Sequence, residues 1–410
     1  MDVTVERVAG IDVAKAEVVV ALRVPGPNQT RAQEVRTYSA FTSSLASMAD
    51  WLLSAGVELV VLESTGQYWK PVWNALVERN VDQMLVNARH VKMVPGRKTD
   101  VNDAAWLAEL AEHGLLRGSF VPPPAIGRLR DLTRYRRRLI QTRTAERQRV
   151  EKVLEDAGIK LDVVASDLFG VSGTAMLRAL VSGERDASVL ADLAKRSMRK
   201  KIPLLEQALT GRFGEHHALM IGIALAHLDD LDHAIGRLDT QIAVETAPFA
   251  AAVAHLDTIP GVGLRSAEEM VAEIGTDMGV FPTAAHLASW AGMCPGNNAS
   301  AGKRNSGRTR KANVWLKATL TECAWAAARS RRTYLAAQFW RFARRLGKKR
   351  AATAVGHSIL IIAWHLLSRD CDYVELGGDY FATRDAEHTR RRALSQLQAL
   401  GYQVTLEPAA

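Results

Sequence analysis

Residues 7 to 22 read RVAGIDVAKAEVVVAL, two β-branched runs around a turn-like DVAKAE, and this predicts a hairpin whose first strand ends at Asp12. Phe41, Leu45, Met48 and Leu52 then recur at helical spacing, and Val57 to Leu62 form a short apolar strand that stops at Glu63. A helix from Trp69 to Glu78, a strand from Val81 to Val86, the loop VPGRKTD and a helix beginning near Asp100 follow. Alternation of this kind predicts an α/β layer with a sheet core. In the last helix, Asp100 and Asp103 share a face with Leu107 and Leu110, so the apolar pair should pack on the sheet while the acids overhang the strand ends.

The pattern changes at VPPPA, residues 121 to 125, because consecutive prolines continue neither helix nor sheet. Leu129, Leu132, Leu139, Val150 and Leu154 then punctuate a long arginine-rich helix, and residues 160 to 250 stay helical and rich in Leu and Ala. A coiled-coil or helical-bundle arm is expected, although the heptads are imperfect. Residues 258 to 267, TIPGVGLRSA, have the look of a helix-hairpin-helix turn, in which Gly261 and Gly263 would let backbone N–H groups face a phosphate. The same Pro-Gly-x-Gly turn occurs in many loops that touch no phosphate. The expected fold class is α/β plus all-α, divided into residues 1–120, 121–254, 255–370 and a tail, 371–410.

Charge sharpens this division. The 410 residues carry 53 Lys/Arg against 44 Asp/Glu, a formal +9, and the surplus is concentrated. Residues 303 to 350 hold fifteen Lys/Arg and one acid, Glu322, while Arg128 to Val150 holds nine arginines against Asp131 and Glu146. Two such blocks predict an extended polyanion footprint, with Arg134, Arg137 and Arg138 as nucleic-acid contacts, since unneutralised arginines on one helix repel one another. Tyr135 and Trp315 are candidates for stacking on bases, though packing is the commoner fate of each. Cys294, Cys323 and Cys371 have no metal or disulfide spacing. The N-terminus has no apolar signal core and Ser358 to Leu367 is too short to span a bilayer, so a cytoplasmic protein without a membrane partner is expected. No GxxxxGK[ST] string is present, and no nucleotide cofactor is implied.

Asp12, Glu63, Asp100 and Asp103 are the most informative chemical set. Phosphodiester chemistry with Mg²⁺ needs several hard oxygen ligands brought within a few ångströms, and strand ends facing a helix start can supply them. Singly, each acid reads equally well as a turn residue or a helix cap.

Three segments of the first domain, GIDVAK at 10–15, LESTG at 62–66 and KTDVNDAAWLAEL at 98–110, resemble the blocks of the DEDD insertion-sequence transposases of the IS110 kind. IPGVG at 259–263 and SWAGMCPG at 289–296 resemble the C-terminal domain of the same family. The resemblance spans roughly residues 8–112 and 255–368, and the ordered combination is more specific than any one block. It implies a RuvC-like, ribonuclease-H-like first domain whose metal site falls on Asp12, Glu63, Asp100 and Asp103, with one or two Mg²⁺ ions for which Mn²⁺ can substitute. It further implies a nucleophilic serine at Ser300, flanked by Lys303, Arg304, Arg308 and Lys311, which would hold a phosphate. Where the family has Gly directly after that serine this chain has Ala301 and then Gly302, so Ser306 competes for the role.

The implied activity is site-specific strand cleavage and exchange through a phosphoserine–DNA link. Its implied partners are donor and target DNA, a non-coding bridge RNA, and a homodimer that assembles to a tetramer in which acids and serine come from different protomers. Two other readings stay open: a RuvC-like, structure-specific endonuclease using metal-activated water, and a non-catalytic nucleic-acid-binding relic.

Overall fold

The computed structural model of the chain describes residues 3–27, 30–63, 66–87, 103–296, 298–300, 303–306, 309, 312–384 and 386–406, with backbone alone at 298–300, 303–306, 388, 389 and 392. These fall into two compact units, Met1–Val121 and Pro122–Ala410.

The first unit is built on a five-stranded sheet: β1 (Val8–Val13), β2 (Glu17–Pro25), β3 (Arg31–Ser39), β4 (Leu59–Glu63) and β5 (Gln83–Val86). The order is β3-β2-β1-β4-β5; β1 to β3 form an antiparallel meander, and β4 and β5 continue it in parallel with β1. This is a mixed sheet, the core of the α/β layer expected of the first domain. The predicted hairpin is β1–β2. The sequence reading missed β3, because its side chains are nearly all exposed and carry no apolar alternation. Charged side chains on such an edge discourage pairing with other chains.

Period-two alternation splits the sheet into two faces. Ala9, Ile11, Val13, Val20, Val60 and Leu62 pack against α1 (Thr42–Ser54) through Leu45, Met48 and Leu52, and against α2 (Trp69–Val77) through Val72 and Leu76. Val8, Val61 and Val86 face α3 (Asp103–Glu112), meeting Leu107, Leu110 and Ala111. Leu107 and Leu110 are fully buried, and each such burial contributes roughly 1.5–3 kcal/mol.

The second unit is mostly helical. It opens with α4 (Pro124–Asp156), whose Pro124 sits in the first turn where a missing N–H costs nothing. The short helices α5 (Leu161–Val164), α6 (Val171–Val181), α7 (Ala187–Asp192) and α8 (Ile202–Leu209) then close a cluster around Leu154, Met176, Leu177, Leu190 and Leu205. The long α9 (Glu215–Thr246) returns antiparallel to α4, as the ion pairs Arg128–Glu245, Arg136–Asp239 and Arg143–Asp232 record in reversed order.

Beyond it lie α10 (Ala250–Asp257), α11 (Leu264–Ile274), α12 (Ala284–Trp290), the hairpin β6 (Asn298–Ser300) and β7 (Lys303–Ser306), α13 (Val314–Ala327), α14 (Tyr334–Leu346) and α15 (Lys348–Arg369). Two exposed helices, α16 (Tyr380–Arg384) and α17 (Ala386–Ala399), follow. Helix α15 is long and apolar enough to cross a membrane, yet Ala351, Val355, Ile359, Leu360 and Ala363 are buried and it packs on α12, α13 and α14, as the central helix of a helical core does.

The chain leaving α15 is pinned back on α10. The His255 ring reaches Asp372 at 2.7 Å and Asp370 at 3.2 Å, and Thr258 Oγ1 accepts from the Tyr373 N–H at 2.9 Å. The bond to Asp372 raises the imidazole pKa above its usual value, the bond to Asp370 adds to this, and burial opposes it. A raised folded-state pKa stabilises fully below the unfolded value of about 6.5 and fades as pH rises through the folded one. Wild type should therefore exceed Asp372→Asn in urea midpoint at about pH 5.5, and the gap should close towards about pH 8.5. A gap that does not change with pH would refute the linkage.

Candidate active site

Asp12 and Glu63 are neighbours because β1 and β4 are parallel and in register. Ile11 pairs with Leu62, so the next residues of each strand stand side by side at the strand ends. Both belong to the face that carries Val8 and Val61, the face covered by α3. Both are half-buried, and both have polar partners.

What brings α3 to them is Gly10. A Cβ at that position would lie 2.1 Å from the Ala104 carbonyl oxygen and 2.5 Å from the Ala108 nitrogen, so the helix backbone rests directly on the strand. Ala104 and Ala105 meet Ala21 and Val19, and Val19 is the residue paired with Asp12. The first turn of α3, headed by Asp103, thus lies over the Asp12 end of the sheet. An acid in the first turn also suits the positive end of the helix dipole.

The opposite end of α3 is clamped. Glu112 is 1% exposed and pairs with Arg23 of β2 at 2.5 Å and Arg31 of β3 at 2.6 Å. Its carbonyl accepts from the backbone N–H groups of Thr4 and Val5 at 2.8 and 3.2 Å. A buried carboxylate needs such partners, and here they tie the helix to β2 and to the edge strand β3. The sequence reading missed Glu112; the available signal was an acid closing an apolar helical face.

Three of the four predicted acids are therefore drawn towards one end of one sheet face, and Asp100 lies outside the described residues. Among the described residues no group of three or more His, Cys, Asp or Glu side chains is arranged to hold a metal ion. The donors themselves, carboxylates at adjoining strand ends beneath a helix start, are of the hard-oxygen kind that a small divalent cation takes.

In the second unit, β6 and β7 pair antiparallel with Ser300 opposite Lys303 and Ser306 opposite Asn298. Ser300 is the last residue of its strand before residues 301 and 302, which lie outside the described residues, as do Arg308 and Lys311. Arg304 pairs in register with Ala299. The base of the hairpin is closed by a bridge between Pro295 and Thr309, and Lys317 Nζ bonds Thr309 Oγ1. Asn313 caps α13 by accepting from the N–H groups of Trp315 and Leu316, and its Nδ2 donates to Glu273 at 2.6 Å.

Glu273, 3% exposed, is the hub of this region. Arg134 grips it with two bonds of 2.7 Å, and Arg130 donates to the carbonyls of Ala272 and Glu273. Burial lowers the Arg130 pKa to about 10, which leaves it charged at neutral pH. Arg137 pairs with Glu269 at 2.8 Å and with Glu322. Seven of the nine arginines of this helix have a carboxylate partner. The counter-charge comes largely from α9, α11 and α13, so the mutual repulsion that suggested a polyanion is relieved within the protein. Arg138 lies 5.5 Å from the ring centre of Trp315 and Arg147 lies 5.0 Å from that of Phe169. Trp315 is half-buried, and Tyr135 is exposed. An acid inside the apolar run MVAEI, 270–274, was the available signal for Glu273.

Gly261 and Gly263 differ. With φ +90°, Gly261 sits where a Cβ would be 2.4 Å from the Ala327 nitrogen and 2.5 Å from the Cys323 carbonyl oxygen, so packing on α13 demands glycine there whatever the ligand. Gly263 precedes α11 with nothing within 4 Å of its would-be Cβ.

Two family models match segments of the sequence. A family model described as "Transposase" (DEDD_Tnp_IS110) matches residues 9–159, and one described as "Transposase IS116/IS110/IS902 family" matches residues 253–341. The transposase for insertion sequence element IS1111A of Coxiella burnetii (strain RSA 493 / Nine Mile phase I) is 24% identical over 337 residues, 80% of this chain and 82% of that protein. Two solved structures, T. thermophilus RuvC in complex with Holliday junction substrate and Thermus thermophilus RuvC, are each 13% identical. Each match covers 28% of this chain and 99% of the other, with TM-scores of 0.23 and 0.22.

Two substitutions test the two anchors. Gly10→Ala should force α3 off β1 and cost at least about 1–3 kcal/mol in denaturant unfolding, the usual penalty of overpacking; an unchanged midpoint would contradict the close approach. Glu273→Ala should cost about 3–5 kcal/mol, because Arg130 and Arg134 lose a buried partner; a change below about 1 kcal/mol would show the cluster to be dispensable.

Proposed function

The chain belongs to the IS110 family of DEDD transposases, its two matched segments together covering more than half of its length, and from this premise we propose that it is a site-specific, bridge-RNA-guided DNA recombinase with a serine nucleophile. The observation that carries the reading is the registered pair Asp12 and Glu63 beneath the first turn of α3, reached through Gly10. Family membership implies a DNA-cleaving enzyme that uses a divalent metal. In our reading Asp12, Glu63, Asp100 and Asp103 hold one or two Mg²⁺, for which Mn²⁺ substitutes. Bound there, the metal supplies Lewis-acid polarisation of the scissile phosphate.

Ser300 supplies the nucleophile. Its Oγ forms a bond to the scissile phosphorus while the ester bond to one strand end breaks, and that end leaves as a hydroxyl carrying the proton the serine gives up. A hydroxyl of a second strand then attacks the phosphoserine, forming the new phosphodiester and returning the proton to Ser300. The bond count is conserved, which suits strand exchange without ATP. Lys303, Arg304, Arg308 and Lys311 neutralise the phosphate during both steps.

In this reading the second unit comprises an arm, residues 121–254, followed by a C-terminal transposase domain, 255–370, and a tail. The arm joins protomers into a homodimer and then a tetramer, so that acids and serine of different copies meet on donor and target DNA. A bridge RNA pairs with both DNAs, and the protein works in the cytoplasm. Because Arg134 and Arg137 are held in ion pairs, nucleic-acid contact in this block falls to Arg138 and to exposed neighbours.

A covalent-adduct experiment tests the mechanism. Wild type, Ser300→Ala, Ser306→Ala and Asp12→Ala are incubated with element-junction DNA, RNA from the flanking non-coding region and Mg²⁺, and DNA-linked protein is sought on a denaturing gel. The adduct should form with wild type and Ser306→Ala and fall by at least about a hundredfold with the other two. Cleavage without an adduct would replace the serine mechanism with a metal-activated water. An adduct lost only in Ser306→Ala would move the nucleophile to that residue.

A further inference from the structure

The two basic blocks have opposite fates. The arginines of α4 are largely neutralised by neighbouring acids, whereas Arg329, Arg331, Arg332, Arg341, Arg344, Arg345, Lys348, Lys349 and Arg350 are all exposed, and among the described residues no ion pair joins any of them to a carboxylate. Lys348, Lys349 and Arg350 even head α15, where the helix dipole opposes positive charge. Such a concentration of unpaired cations is costly to the isolated protein, so its counter-charge is expected from outside.

This surface contains a pocket of about 720 Å³, within the usual range of ligand sites, where the chain turns from α13 into α14. Arg329, Arg331 and Arg332 line it together with Trp340, and Gly377, Gly378 and Asp379 form the rest of its wall, so three guanidinium groups stand against one carboxylate. That wall is held in place: Glu375 accepts from the N–H groups of both Tyr334 and Gly377 at 2.7 Å, and a Cβ on Gly378 would lie 3.1 Å from the Arg332 Cα. Trp340 is 47% exposed although its Nε1 donates to the Ala328 carbonyl at 3.2 Å, which fixes the ring and leaves part of it open. Arg332 has φ +59°, the left-handed region where glycine or asparagine is cheaper, so a cation is retained at a conformational cost.

We propose that this pocket takes one nucleotide of a single-stranded nucleic-acid segment, its phosphate held by Arg329, Arg331 and Arg332 and its base stacked on Trp340. Oriented guanidinium groups bind phosphate oxygens in pairs, and an immobilised indole stacks on any base without reading its sequence. The occupant is a strand rather than a free nucleotide, because exposed cations adjoin the pocket on both helices. Arg344 follows Trp340 by one turn of α14, Arg345 is next to it, and Lys348, at the start of α15 with Lys349 and Arg350, lies 5.8 Å from the Trp340 ring centre, more positive charge than one phosphate needs. The inference rests on the nucleic-acid reading above and adds a subsite that shares no residue with the acids or with the serine hairpin.

The test measures binding of fluorescein-labelled oligothymidylate of about twelve nucleotides to the full chain by anisotropy, beside a labelled duplex, with free AMP as competitor. Trp340→Ala should weaken oligothymidylate binding about 5- to 100-fold and Trp340→Phe should retain most of it. The pair Arg331→Ala with Arg332→Gly, the second chosen because glycine accepts the backbone angle, should cost about tenfold and reduce the slope of log K against log salt by about 1.4. Wild-type affinity in all these variants would overturn the subsite while leaving the recombinase reading intact. Displacement by AMP as effective as that by unlabelled oligothymidylate would make the occupant a free nucleotide and overturn the strand. If wild type binds neither probe, the nucleic-acid reading itself fails, and the subsite with it.

Discussion

The N-terminal site depends on the absence of one side chain. With no Cβ at Gly10, the backbone of α3 lies on β1, and only that approach carries the Asp103 turn over the strand ends bearing Asp12 and Glu63. A helix on a sheet ordinarily stands off by the length of two side chains, which would separate these acids. The approach is held from the far end as well, since Glu112 is gripped by Arg23 and Arg31 and its carbonyl by Thr4 and Val5. The geometry of a candidate metal site is thereby set by a glycine and an ion-pair cluster that would never bind the metal.

A similar separation between binding groups and groups that position them runs through the second unit. Arginine is abundant on α4 and again between residues 329 and 350, yet burial and partners give the two blocks different physics. On α4 the guanidinium groups cross-link helices, and losing their carboxylates would leave charge stranded in a partly buried seam. On the later block the cations face solvent and, among the described residues, no ion pair joins them to a carboxylate, so they are left to water and salt and stay free to meet an external polyanion. Net charge alone does not separate these cases; the location of the acids does.

That distinction explains how far the sequence could be read. Helices α1 and α2 were legible because each buries one face and so shows its period, and β1, β2, β4 and β5 because they are short β-branched or apolar runs bounded by turns. Asp12 and Glu63 were legible because both end apolar strands. Strand β3 was not, since it is an exposed edge with nothing to alternate. The partners of the α4 arginines were not either: Arg134 meets Glu273 and Arg137 meets Glu322 across 139 and 185 residues of chain. No local pattern encodes such pairing. Gly261 was legible as a special residue, but its reason, contact with the backbone of α13, belongs to tertiary packing.

The serine hairpin shows why the positioning groups matter for chemistry. Two strands of three and four residues form no core of their own, and an isolated hairpin of this size is at best marginally stable in water. Its placement must come from its base, where Pro295 bridges Thr309 and Asn313 starts α13 while donating to Glu273. Glu273 is in turn held by Arg134, and through it the hairpin base is tied to α4. A reaction at a serine tolerates little misplacement of the attacking oxygen. Were Ser300 the nucleophile, as proposed, Arg134 would act on the chemistry by holding the hairpin base and not by contact with nucleic acid; in either case this helix, rich in phosphate-binding side chains, engages most of them with carboxylates of its own protein.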